Sequence, residues 1–168
     1  MAGRDAGTAL LGRQAASHPT GLRPDYVTMQ IHGSCACRSG AGVLLIGPAG
    51  AGKSDLVLRL LARGFDLVAD DRVDIVDGIA RPVPELAGLL EVRGLGIVRL
   101  KHVATARLAL VVELGAAARR LPLPAVHDRL GLPMAQLDAW SVSAADKVSL
   151  ALDCALGRVG QVAGAFAA

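Results

Sequence analysis

The stretch Gly47-Pro48-Ala49-Gly50-Ala51-Gly52-Lys53-Ser54 decides how this chain is read. Its fixed positions, a leading glycine and a closing Gly-Lys-Ser, match a loop that wraps phosphate groups. Immediately before it, Gly42-Val43-Leu44-Leu45-Ile46 is a short apolar run that reads as a buried strand. Immediately after it, Leu56, Val57, Leu60 and Leu61 recur at helical spacing, and Gly64 stands where a helix C-cap falls. Strand, glycine loop and helix in that order are the context a phosphate site requires. With no Cβ in the way, backbone N–H groups can turn inward onto phosphate oxygens, and the helix N-terminus adds free donors and partial positive charge. Lys53 would reach the β- and γ-phosphates, and the Ser54 hydroxyl would ligate Mg²⁺.

Working outward, 168 residues suit one domain large enough to bury a real core. Hydrophobic residues make up 52% and aromatic ones 2%, so the core must be built from Leu, Val, Ile and Ala. The net charge of +3 comes from 18 basic and 15 acidic residues spread along the chain, with no basic block. Together with the scarcity of aromatic rings for stacking single strands, this argues against nucleic acid as a partner. Cys35, Cys37 and Cys154 are an odd set without zinc-type spacing, which points to a reducing compartment, the cytoplasm. Cys35 and Cys37 read as small buried apolar residues. No apolar run approaches ~18 residues, so no membrane span is expected.

Residues 1–28 are rich in Gly, Ala, Arg and Pro without a period, and read as a flexible tail or as sequence upstream of a start near Met29. Residues 29–168 form the expected catalytic domain. Gln30 to Cys37 alternates like a strand, and Ser39-Gly40 turns it back onto the phosphate-loop strand, with His32 near its far end. Phe65 to Ala69 is the next strand and ends in Asp70-Asp71. Strand alternation would send one of these two carboxylates toward the nucleotide and the other away. Asp77-Gly78 between apolar runs is a hairpin signal.

Further on, Glu85 to Leu90 reads as a short helix or turn, and Glu91 to Ile97 as a glycine-broken segment able to fold against phosphates. Arg107 to Leu114 is a second core strand. Leu121 to Trp140 is punctuated by proline and reads as mostly loop. Ser143-Ala144-Ala145-Asp146 resembles a capping box opening a helix that runs through Val159 or beyond. The fold class is α/β: a mixed sheet around the phosphate loop with flanking helices. Phosphoryl transfer needs a metal, a base for the incoming hydroxyl and positive groups on the phosphoryl, and the strand-end pair Asp70-Asp71 is the natural acidic partner.

Ile31-His32-Gly33, the loop Gly47–Ser54, Val68-Ala69-Asp70-Asp71-Arg72-Val73 and Leu90-Glu91-Val92-Arg93-Gly94-Leu95-Gly96-Ile97 follow one another as they do in the bifunctional HPr kinase/phosphorylase family, which the chain resembles over residues 29–153. The Glu-Val-Arg-Gly-Leu-Gly segment is the most specific part. The resemblance is to that family's catalytic domain in its short form, without the N-terminal domain of long members. It implies a Mg²⁺- and ATP-dependent enzyme that phosphorylates a serine of HPr, a phosphocarrier of the sugar phosphotransferase system. It also implies removal of that phosphate by inorganic phosphate, giving pyrophosphate.

Carried over by motif, Lys53 grips phosphates, Ser54 and Glu91 look like magnesium ligands, and Asp71 resembles the residue that takes the serine proton forward and returns one in reverse. His32 resembles an active-site histidine, and Arg129, in Asp128-Arg129-Leu130-Gly131, resembles the family's catalytic arginine. Family members are hexamers, which implies a homo-oligomer. Long members carry a late Pro-Val-x-x-Gly-Arg-Asn segment linked to dephosphorylation. The matching region here reads Ser141-Val142-Ser143-Ala144-Ala145-Asp146-Lys147-Val148, which favours the kinase direction. Two other readings stay open: a small-molecule kinase on the same kind of loop, and a nucleotide-binding regulatory module with little catalysis.

Overall fold

The computed structural model describes residues 28–116 and 119–167. The expected tail, residues 1–28, lies outside them except for the backbone of Thr28. In chain order the elements are β1 (Thr28–His32), β2 (Ser34–Arg38), β3 (Ala41–Ile46), α1 (Lys53–Leu61), β4 (Asp66–Ala69), β5 (Arg72–Val76) and β6 (Ile79–Pro82). There follow β7 (Leu89–Val92), β8 (Gly96–Arg99), β9 (Ala106–Leu114), β10 (Ala125–His127), β11 (Leu132–Leu137) and α2 (Ala144–Ala155). The fold class is the expected α/β arrangement, a mixed sheet with flanking helices.

Strand β3 lies between β2, antiparallel to it, and β9, parallel to it. The other edge of β9 is shared: β6 pairs with its start and β11 runs parallel to its end. Strands β1 and β2 are one run bent at Gly33, and β4 and β5 are one run bent at Asp70-Asp71. The two runs pair antiparallel in a continuous register, from Thr28↔Val76 through His32↔Arg72 to Cys35↔Ala69. Since β5 also joins β6, β9, β3 and β2 in sequence, the sheet closes on itself as a small barrel.

Alternation along these strands makes two cores. Inside the barrel lie Cys35, Cys37, Leu44, Val68, Val73, Ile75, Leu108 and Val111. On the outer face Ala36, Val43, Leu45, Leu67, Leu110, Val112 and Leu114 pack against Leu56, Val57 and Leu60 of α1 and Val148 and Leu152 of α2. Each leucine fully removed from water contributes about 1.5–3 kcal/mol, so these aliphatic layers supply most of what holds the sheet to its helices. Burial pushes the Cys35 thiol far up, so Cys35 behaves as the small apolar residue the sequence suggested.

The bend at Gly33 has a steric cause. A Cβ there would stand 2.6 Å from the Leu45 carbonyl oxygen, and the Gly33 N–H donates to the Asp71 carbonyl at 3.1 Å. The turns at Ser39-Gly40 (φ 52 and 79) and Asp77-Gly78 (φ 51 and 74) close the two expected hairpins with left-handed pairs.

Three expectations need correction. The proline-punctuated stretch after Leu121 holds β10 and β11, the latter paired with β9. Pro133 precedes the first β9-paired residue, Met134, so its missing N–H costs that ladder nothing. The capping box does not form: Ser143 makes no side-chain cap, and Asp146 instead accepts from Arg63 Nε and Nη2 at 2.6 and 3.0 Å. Finally, α2 stops at Ala155, short of Val159. Among the described residues no helix is long and apolar enough to cross a membrane.

Candidate active site

The glycine loop joins β3 to α1 at the end of the sheet where β4 also finishes. Gly47 takes φ 145, and a Cβ on it would stand 2.5 Å from the Leu114 carbonyl oxygen, so only glycine lets the loop leave the sheet there. Helix α1 starts on Gly52 in the left-handed region with no side-chain cap, so its first N–H groups face the loop. Lys53 is only 8% exposed, and its Nζ donates to the carbonyls of Gly47 and Pro48, both at 2.9 Å. Two of the three ammonium donors thus close the loop.

Among the described residues, the buried polar side chains are Ser34, Lys53 and Asp70, and all three line one cleft of about 630 Å³. Buried charges are costly unless they are paired, so their convergence marks a built site. Asp70 is the hub. Its Oδ1 accepts from Ser34 Oγ at 2.6 Å and Ser54 Oγ at 2.9 Å, and its Oδ2 accepts from the Glu91 N–H at 3.3 Å. One carboxylate therefore ties together the barrel bend, the loop and the β7–β8 hairpin.

Asp71 is exposed, and its Oδ1 lies 3.2 Å from Nδ1 of His32. Its φ of 65 is unusual for a side-chain-bearing residue, and the Arg72 N–H donates back to the Asp70 carbonyl at 2.8 Å, closing a tight turn around it. That turn breaks strand alternation. Both Asp70 and Asp71 line the cleft, where the sequence suggested opposite directions.

The structure gathers His32, Lys53, Ser54, Asp71 and Glu91 around this cleft, with Ala49, Gly50 and Gly52 of the loop. Arg93 lies on its wall at the tip of the β7–β8 hairpin. It does not bring in Arg129, which is exposed on the β10–β11 turn. Because β11 runs parallel to β9, that turn sits at the end of β11 away from the loop, on the order of 17 Å along the strand. Sequence reasoning missed two contributors. Ser34 belongs to no motif, and its only signal is its place beside Gly33. Trp140, a cleft residue on the loop after β11, falls in a stretch without period.

The Ser54 hydroxyl on the Asp70 carboxylate, with Glu91 also lining the cleft, offers hard oxygens of the kind Mg²⁺ prefers. A strand-end carboxylate beside an imidazole, facing a glycine loop with an uncapped helix start, is chemically equipped to move a proton next to a bound anion.

The family described as HPr Serine kinase C-terminal domain matches residues 26–149. An HPr kinase/phosphorylase of Cupriavidus metallidurans is 46% identical over 125 residues, 64% of this chain and 38% of the relative. One from Burkholderia cenocepacia is 43% identical over 124 residues, again 64% of this chain and 38% of the relative. The chain thus matches well under half the length of these relatives. The structure of the HPr(Ser) kinase/phosphatase from Coxiella burnetii superposes with a TM-score of 0.61 at 21% identity, covering 77% of this chain and 89% of that one, which speaks for the fold.

Proposed function

Because the chain belongs to the HPr serine kinase C-terminal domain family, we propose that its cleft transfers the γ-phosphoryl of ATP to a serine hydroxyl of an HPr-like phosphocarrier. The reading takes the forward, kinase direction as dominant and the cytoplasm as its place. Phosphorolytic removal would move the phosphoryl from the phosphoserine onto inorganic phosphate at the same cleft, giving pyrophosphate and the free serine hydroxyl, and a homo-oligomer completes the proposal.

The observation that carries it is the meeting of Lys53, Asp70 and Ser34, all buried, beneath a glycine loop. The residues fit the reactants. A cleft of about 630 Å³ is of ligand size, and Gly50 and Gly52 (φ 80 and 87) line it with left-handed backbone that glycine adopts readily. Ser54 and Glu91, braced by Asp70, would hold Mg²⁺, which neutralises charge on the phosphate oxygens when bound. Lys53 and the first N–H groups of α1 would grip the phosphate chain. Asp71 would accept the serine proton as the bond to phosphorus forms and return one in the reverse direction. His32 would hold the Asp71 carboxylate in place. Arg129 has no step in this scheme within a single chain.

The test is incubation with γ-labelled ATP, Mg²⁺ and purified HPr. Label on an HPr serine, abolished by Lys53→Ala, is the expected result. Label on a small metabolite would establish the small-molecule kinase instead, and bound but uncleaved nucleotide a regulatory module.

A further inference from the structure

The chain contains one tryptophan, and the fold spends it in the open: Trp140 is 61% exposed. Among the described residues the other aromatic rings, Phe65 and Phe166, are buried or half-buried. An exposed indole beside a ligand cleft is a surface waiting for a flat partner.

Its position is fixed rather than loose. The backbone N–H of Trp140 donates to Asp138 Oδ1 at 2.9 Å, and Ser141 Oγ donates to the Asp138 carbonyl at 3.1 Å. From α1, Arg59 donates to the carbonyls of Ala139 and Ser141, while Asp55 holds its guanidinium at 2.9 Å. The segment abuts the glycine loop directly. A Cβ on Gly52 would come within 2.9 Å of Ala139 Cβ and 3.4 Å of Cε2 and Cζ2 of the indole.

The sheet order places β3 and its loop between the two flanks of the site. The acidic groups Asp70 and Asp71 follow β4 on one flank, and Trp140 follows β11 on the other. A phosphate chain with its reacting end beside the carboxylates therefore points its nucleoside end toward Trp140.

We propose that Trp140 is the stacking platform for the nucleotide base. This deepens the ATP reading and rests on it. A π-face stacked on a base is worth enough that truncation weakens binding by about tenfold, and a pre-ordered ring loses little freedom on binding.

Because Trp140 is the lone tryptophan, its emission reports on this contact without labels. Magnesium-ATP and magnesium-tripolyphosphate, which has no base, are titrated into the whole chain, following fluorescence and, separately, heat. ATP should change Trp140 emission strongly and tripolyphosphate by less than about a tenth as much. Trp140→Ala should weaken ATP by about tenfold and leave tripolyphosphate unchanged, while Trp140→Phe stays within about threefold of wild type. Equal emission changes with both ligands, or undiminished ATP affinity in Trp140→Ala, would overturn the platform while leaving the phosphate site standing. If tripolyphosphate and ATP both fail to bind, the ATP reading falls and the platform with it.

Discussion

Asp71 occupies a left-handed backbone conformation, φ 65, that aspartate tolerates better than most residues but still at some cost. The cost is tied to geometry: the same turn swings its carboxylate to His32 and lets Asp70 drop to the cleft floor between two serine hydroxyls. The two neighbours thus divide the work, one buried and bonded, the other open to an incoming hydroxyl. Replacing Asp71 by Asn keeps the shape and removes the carboxylate proposed to take the serine proton. Steady-state kinetics on HPr should show kcat lower by roughly 10²–10⁴ for Asp71→Asn, with KM for magnesium-ATP within about threefold. An unchanged kcat would remove Asp71 from the proton transfer. At this scale Lys53 and Ser54 were legible because the loop pattern demands those types at fixed spacing, and Asp70-Asp71 because the pair closes an apolar strand. Ser34 was not, since a serine that braces a distant carboxylate leaves no local pattern. The expectation that only one of Asp70 and Asp71 faces the cleft fails because alternation holds only while φ stays extended, and Asp71 has φ 65.

The helices are tied on by arginine-carboxylate pairs as well as by the aliphatic layer. Arg63 on the turn after α1 holds Asp146 of α2, and Arg38 of β2 donates to Asp153 of α2 at 2.7 Å while its guanidinium lies 5.2 Å over the Phe65 ring. Hydrogen bonding to Arg63 holds the Asp146 carboxyl below its ordinary range, and hydrogen bonding to Arg38 does the same for Asp153. A carboxyl depressed in the folded state contributes stability that is full above its unfolded pKa, about 3.9. That contribution is lost as pH falls from there through the lower folded-state value. Thermal unfolding followed from pH 6 to pH 2.5 should therefore show a fall in Tm beginning near pH 4. The double variant Asp146→Asn, Asp153→Asn should show a shallower fall, and an identical slope in both would rule these pairs out as its source. The capping-box expectation failed for the same reason: Arg63, remote in sequence, outcompeted the helix N-terminus for Asp146. Strand β11 was hidden by prolines that sit where the β9 ladder has no need of their N–H groups.

At the scale of the molecule, barrel closure is what makes the site. Pairing the β1–β2 run with the β4–β5 run brings Ser34 and Asp70 together, and the parallel β3–β9 pair carries the glycine loop above them. The loop and its flanking strand and helix could be read locally. Closure could not, because it depends on two bent strands meeting over separations that run from 40 residues at His32↔Arg72 to 48 at Thr28↔Val76. In the proposed function this closure builds a floor for a magnesium-bound triphosphate, with Asp70 as its anchor. The most direct measurement is the affinity for ATP with and without Mg²⁺, by calorimetry, in the wild type and in Asp70→Asn. Mg²⁺ should strengthen ATP binding at least about tenfold in the wild type and by no more than about twofold in the variant. The same enhancement in both would contradict it.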